Sequence, residues 1–227
     1  MKKLYQLIQK NFIFDKVFDL FQKKSEQKSE PLPMITLSRE KGSGGRFVAH
    51  LTAKKLGKPW KVYHKEILEE IIKVSNLENA LVEKMDEKTI SVIDQFIADF
   101  FGKKYFNLGN YYKSLVKTLF TVSQRGYAVI IGRGANFLLP HFLKVRVICE
   151  MEQRIQWEME YEHYSRKEAM RIIEKSDEER KEFCKTLFNH DPRKAHHYDL
   201  VIRTGPHLSI EDASDLIARA AKRRFKI

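Results

Sequence analysis

Two short stretches of the 227-residue chain carry side chains suited to holding phosphate. The first is SREKGSGGRF, residues 38–47, where Gly42, Ser43, Gly44 and Gly45 follow the apolar run MITLS and open the helical pattern GRFVAHLTAKKLG. A glycine-rich turn between a buried strand and a helix makes an anion site. The glycines let several backbone N–H groups point inward, and the helix N-terminus adds positive potential. The usual phosphate loop reads G-x-x-x-x-G-K-[ST], its lysine reaching the outer phosphates and its hydroxyl ligating magnesium. With Gly44 taken as the second glycine, Arg39 stands at the first, Gly45 at the lysine and Arg46 at the hydroxyl position. Arg39 and Arg46 flank the turn, and guanidinium binds phosphate oxygens bidentately, so either can supply the charge a lysine gives elsewhere. The plainer reading leaves the glycines to tight strand-to-helix packing and the arginines to surface ion pairs with Glu40 or another carboxylate. The second stretch is IIGRGAN, which puts Arg133 directly after an apolar run. In open α/β sheets, ligands bind outside the carboxyl ends of the strands, where such a residue stands.

The elements that must position these residues follow from periodicity. MITLS, KVYH, YAVIIG, KVRVICE and DLVIRT read as short strands, several of them continuous apolar runs of the kind found in parallel strands buried on both faces. Between KVRVICE and DLVIRT the sequence predicts helices starting at capping boxes, Ser165 with Glu168 and Ser176 with Glu179. The last helix starts at Ser209 with Asp212, a weaker box because aspartate is shorter. Residues 77–126 lack strand alternation and read as a helical insertion, in which Phe96, Phe100, Tyr105 and Tyr111 are core or line an acceptor site. Strands alternating with helices give an α/β class with a parallel central sheet covered by helices. Ahead of this domain, residues 1–21 have the apolar spacing of an amphipathic helix, and QKKSEQKSEPLP reads as a linker, so the division is 1–33 and 34–227.

The segments ITLSREKGSGGRFVAHLTAKKLG, VYHKEIL, AVIIGRGANFLL and YDLVIRT resemble, in order and context, the cytidylate kinase-like family of P-loop nucleoside monophosphate kinases. The resemblance implies a three-layer α/β/α fold with a helical monophosphate-binding insertion and a lid. Its activity would be transfer of the γ-phosphoryl group of ATP, with Mg²⁺, to CMP or dCMP. Such chemistry needs positioning and charge neutralisation more than covalent participation. By resemblance, Gly42, Ser43, Gly44 and Gly45 with Arg46 cradle the ATP phosphates, and Arg133 grips the acceptor phosphate or base. Residues 165–189 look like the lid, and SDEER in it resembles the family's D-x-x-R element, which carries over Asp177 to the substrate and Arg180 to the transferring group. Read without the family, Asp177 and Arg180 are an exposed pair on one helix face. The closer members of the family also have Gly and Arg after GSG. The family's YDKE is YHKE here, which makes His64 a substrate contact of different character from a carboxylate.

Composition bounds the alternatives. The formal charge of +12 suits nucleic acid, a membrane surface or arginines gathered on small anions. No aromatic-and-basic RNA signature or recognition helix accompanies it, which argues against nucleic acid. The N-terminal helix has packing as its first reading and peripheral membrane contact as its second. Cys149 and Cys184 make no metal or disulfide spacing, and no signal peptide or membrane span is visible, so a reducing cytoplasm is expected. His190, His196 and His197 cluster in NHDPRKAHHYD, but no helical i, i+4 pair supports a metal site, and none is expected. The second functional reading is a catalytically weak nucleotide-binding regulatory or scaffold protein of the same fold.

Overall fold

The computed structural model describes residues 32–66, 115, 118–119, 122–123, 125–139 and 142–227. Five strands form one parallel sheet in the order β2-β3-β1-β4-β5. They are β1 (Met34–Arg39), β2 (Lys61–Tyr63), β3 (Ala128–Ile131), β4 (Leu143–Cys149) and β5 (Leu200–Thr204). Each matches, to within about two residues at either end, one of the segments predicted as strands. Successive residues of β3 are all buried, as are Met34 to Leu37 of β1, so neighbouring side chains on opposite faces are both shielded from water.

Helices α1 (Gly45–Leu56), α2 (Ala135–Leu138), α3 (Met151–Glu162), α4 (Arg166–Phe188) and α5 (Ile210–Phe225) connect or follow these strands. The main core joins Ile35, Leu37, Val129, Val145 and Val147 of the sheet to Val48 and Ala49 of α1 and Ala213 and Ile217 of α5. The chain leaves β1 for the outer β2, returns to β3 beside β1, then crosses to β4 on the other side of β1. Strand order therefore reverses at β1, and a crevice opens at the carboxyl ends there. Register places Leu37 opposite Ile131 and Ser38 opposite Arg146, so the segments following β1 and β3 leave the sheet at the same edge.

Three capping expectations change. Ser176 starts no helix; it lies inside the 23-residue α4. That helix is anchored at both ends, by Ala169 and Ile173 and by Cys184, Leu187 and Phe188, so the polar stretch between them continues the helix instead of breaking it. The box at Ser209 is complete despite the shorter aspartate. Ser209 Oγ accepts the Asp212 N–H at 3.0 Å, and Asp212 Oδ2 accepts the Ser209 N–H at 3.0 Å. At Ser165 only the first half forms, Oγ accepting the Glu168 N–H.

The chain divides into two compact units, residues 33–65 with 126–227, which holds the sheet, and residues 1–32 with 66–125. The expected N-terminal helix and Phe96, Phe100, Tyr105 and Tyr111 lie outside the described residues, as does most of the insertion. Among the described residues no helix is long and apolar enough to cross a membrane. The complete box predicts that Ser209→Ala lowers the unfolding free energy by about 1 kcal/mol in urea titrations, without changing the slope.

Candidate anion-binding site

The glycine loop is held from several sides. Glu40 N–H donates to the Val147 carbonyl at 3.1 Å, and the buried Ser43 hydroxyl donates to the Glu40 carbonyl at 2.9 Å. Thr204 of β5 donates to the Ser43 carbonyl at 2.8 Å. Gly44, with φ 71°, turns the chain into α1 without a side-chain cap. Lys41 is the point where the loop meets α3 and α4. Its carbonyl accepts from Arg154 Nε at 2.7 Å, its ammonium pairs with Glu158 at 2.8 Å, and its backbone N–H donates to Asp177 Oδ1 at 2.9 Å. A loop amide thus holds an anion in this structure, the carboxylate of Asp177.

Arg39 explains the residue at the lysine position. A Cβ built on Gly45 would lie 2.6 Å from Arg39 Cβ, and one on Gly132 would lie 2.4 Å from Arg39 Nη1. The Arg39 side chain therefore leaves β1 over Gly45 and lays its guanidinium against the turn after β3. Gly45 lacks the left-handed backbone of Gly42 and Gly44, so space alone keeps it a glycine. At Gly132, φ is 73°, and the two residues that follow are left-handed as well, Arg133 at 57° and Gly134 at 66°. For a non-glycine residue this conformation costs about 1–2 kcal/mol, and such strain persists where the surroundings demand it. It turns Arg133 across the face of Phe183, 5.7 Å from the ring centre.

At the carboxyl ends of β1, β3 and β4 these groups surround a cavity of about 380 Å³, lined by Arg39, Arg133, Arg146, Asp177 and Arg180 among others. The unburied middle of α4 supplies the last two. Asp177 accepts from Arg180 at 3.0 Å and also pairs with Arg154, so D-x-x-R is no isolated surface pair here. Burial pushes the Arg180 guanidinium down from its ordinary value, and the Asp177 charge opposes that. The other expected residues lie elsewhere. Arg46 Nη2 is 3.4 Å from His64 Nε2, with the His50 ring 6.3 Å from that of His64, and neither Arg46 nor His64 lines the cavity. Burial, then the His64 and Arg46 charges, lower the pKa of His50.

Sequence reasoning missed three residues. Arg146 is 6% exposed on β4, donates to Ser38 Oγ at 3.2 Å and Glu40 Oε1 at 3.3 Å, and lies 5.8 Å from the Tyr198 ring centre. Arg154, 5% exposed, ties the loop to Asp177 and Glu40. Asn136 follows the GRG turn. The signal for Arg146 was present: a charge inside the apolar run KVRVICE must be compensated when that strand is buried. His190, His196 and His197 form a ring cluster against Phe137. Burial, followed by neighbouring positive charges, lowers His197 to about 4. Among the described residues no group of His, Cys, Asp and Glu is gathered to hold a metal ion. Both cysteines are buried free thiols, and burial raises each, Cys184 to about 11.

A sequence model of the cytidylate kinase-like family matches residues 34–206. The chain belongs to the cytidylate kinase-like family. Membership supports a kinase-type function, phosphoryl transfer with a nucleotide bound, and leaves the acceptor open. No curated protein matches the chain. Among solved structures, an uncharacterized protein from Eubacterium ventriosum is 23% identical, with 84% of this chain and 98% of that chain covered and a TM-score of 0.65. That likeness, with the sheet order and glycine loop, establishes the α/β P-loop fold expected from the sequence. Shikimate kinase from Bacteroides thetaiotaomicron (13% identity, 86% and 99% covered, TM-score 0.43) and dephospho-CoA kinase from Campylobacter jejuni (13%, 84% and 96%, 0.40) are more distant and carry no argument about this member of the family.

The strain at Arg133 predicts that Arg133→Gly is more stable to urea than Arg133→Ala by about 1 kcal/mol, because only glycine accepts the left-handed backbone without cost.

Proposed function

We propose that this member of the family transfers the γ-phosphoryl group of ATP to a nucleoside monophosphate, CMP or dCMP. The observation that carries the reading is the convergence of Arg39, Arg133 and Arg180 on one cavity beside a glycine loop whose amide already holds a carboxylate. The donor phosphates would meet the loop at Gly42 to Gly45, where the contact of the Lys41 N–H with Asp177 marks a place at which an anion is accepted. Mg²⁺ would supply neutralisation of phosphate charge when bound with the donor phosphates, since among the described residues no group of His, Cys, Asp and Glu is gathered to hold a metal ion by itself.

Within this reading each arginine has one task. Arg39, lying over Gly45, takes the role of the absent loop lysine and binds the outer phosphates of the donor. Arg133, turned inward by its backbone, binds the acceptor phosphate. Arg180 lies across the cavity on α4 and stabilises charge on the group in flight, where a preorganised guanidinium is worth more than in water. Asp177 exchanges its loop contact for the donor phosphates, because a carboxylate and a phosphate compete for the same N–H. Arg46 and His64 stand outside the cavity; Arg46 remains within reach of the loop, and His64 of the edge near β2.

The test is ADP formation from ATP and Mg²⁺ with CMP, dCMP, UMP, AMP and GMP in turn. The reading expects acceptor-dependent turnover, fastest with CMP or dCMP, that falls at least a hundredfold in Arg133→Ala. ATP that stabilises the fold to heat without turnover on any acceptor would instead support the nucleotide-binding regulatory reading.

A further inference from the structure

Asn136 and Arg146 have no part in the reaction as outlined, yet both line the cavity and both are 6% exposed. Asn136 lies in α2, directly after the turn that carries Arg133, and its Nδ2 has no hydrogen-bond partner. A buried amide donor left unpaired is selected against unless something binds it. Arg146 comes from β4, so the two residues approach the cavity from opposite sides of the central strand β1.

The charge balance beside them points the same way. Three guanidinium groups, Arg146, Arg154 and Arg180, are paired with two carboxylates. Glu40 lies between Arg146 and Arg154, while Asp177 is shared by Arg154 and Arg180. Lys41 and Glu158 cancel each other nearby. Glu179 also acts on Arg180, but Arg39 and Arg133 line the same cavity, so its cationic side chains outnumber its carboxylates, in a setting where Arg146 and Arg154 are almost wholly withdrawn from water. Buried charge of that kind is compensated by a counter-charge. That excess of positive charge and the unpaired amide N–H share one cavity.

We propose that Asn136 and Arg146 form an oxyanion subsite on the inner wall of the cavity, holding the phosphate of the acceptor nucleotide. Asn136 Nδ2 donates a hydrogen bond to it, and the bound anion supplies negative charge beside Arg146. This rests on the phosphotransferase reading for the identity of the ligand, but the subsite itself is a matter of binding. It adds to Arg133 a second set of contacts, fixed in the sheet and its adjoining turn, that would keep the acceptor phosphate in place while α4 releases and regains its hold on the loop.

Calorimetric titration of the full chain with CMP, dCMP, UMP, AMP, GMP and inorganic phosphate, without ATP, tests it. The wild type should bind at least one of these, Asn136→Ala should bind it about tenfold more weakly, and Asn136→Asp, which sets a carboxylate against the anion, more weakly still by a further factor of about ten. The melting temperature of ligand-free Asn136→Ala should hold or rise, because an unpaired buried group is removed; a merely structural asparagine would lower it. Equal affinity of wild type and Asn136→Ala, tighter binding to Asn136→Asp than to Asn136→Ala, or no binding of any probe would overturn the subsite. Binding with this mutant pattern but no turnover would leave the subsite standing and remove the kinase reading. Turnover with an acceptor KM unchanged in Asn136→Ala would do the reverse.

Discussion

Two atoms cannot share the space beside Arg39. Its side chain fills the volume that a lysine at position 45 would need, and its guanidinium lies against Gly132. From that exclusion follows the glycine at 45, while the glycine at 132 is set by its own left-handed backbone, φ 73°. In the proposed reading, the loop's departure from the common phosphate-loop pattern is a relocation of charge. A cation that usually rises from the first turn of the helix comes instead from the end of the first strand, six residues earlier in the chain.

The rest of the site is built on carboxylates that hold arginines in place. Glu40 and Asp177 each bridge two guanidinium groups, and Asp177 also closes on a loop amide. Isolated surface pairs contribute little, but Arg146 and Arg154 are almost wholly withdrawn from water, and either one left alone would be a buried charge, so this network fixes geometry. The same contacts connect α4 to the glycine loop. In the proposed reaction, phosphate arriving at the loop would compete with Asp177, which would link donor binding to the position of α4 through one hydrogen bond and one shared carboxylate.

Much of the fold was legible in the sequence, since buried parallel strands are continuous apolar runs and the glycine turn punctuates the first of them. Arg133 was legible for the same reason: it stands directly after a run that could only be a central strand. Ser176 misled because a serine three residues before a glutamate looks the same inside a helix as at its start, and only the buried anchors at both ends of α4 decide between them. Arg154 and Asn136 were out of reach, because their meaning lies in contacts between segments far apart in the chain. Arg39 was visible as a nearby cation, but nothing in the order of residues reveals that it lies over Gly45 and excludes a lysine there.

A charge swap measures that central claim most directly. Arg39→Gly, Gly45→Lys and the double variant would each be titrated with ATP and Mg²⁺ and melted without ligand. The steric account predicts that Gly45→Lys alone lowers the melting temperature and ATP affinity, that Arg39→Gly alone folds and loses ATP affinity, and that the double variant recovers both. A Gly45→Lys protein as stable and as tight-binding as wild type, or a double variant no better than the weaker single, would contradict it.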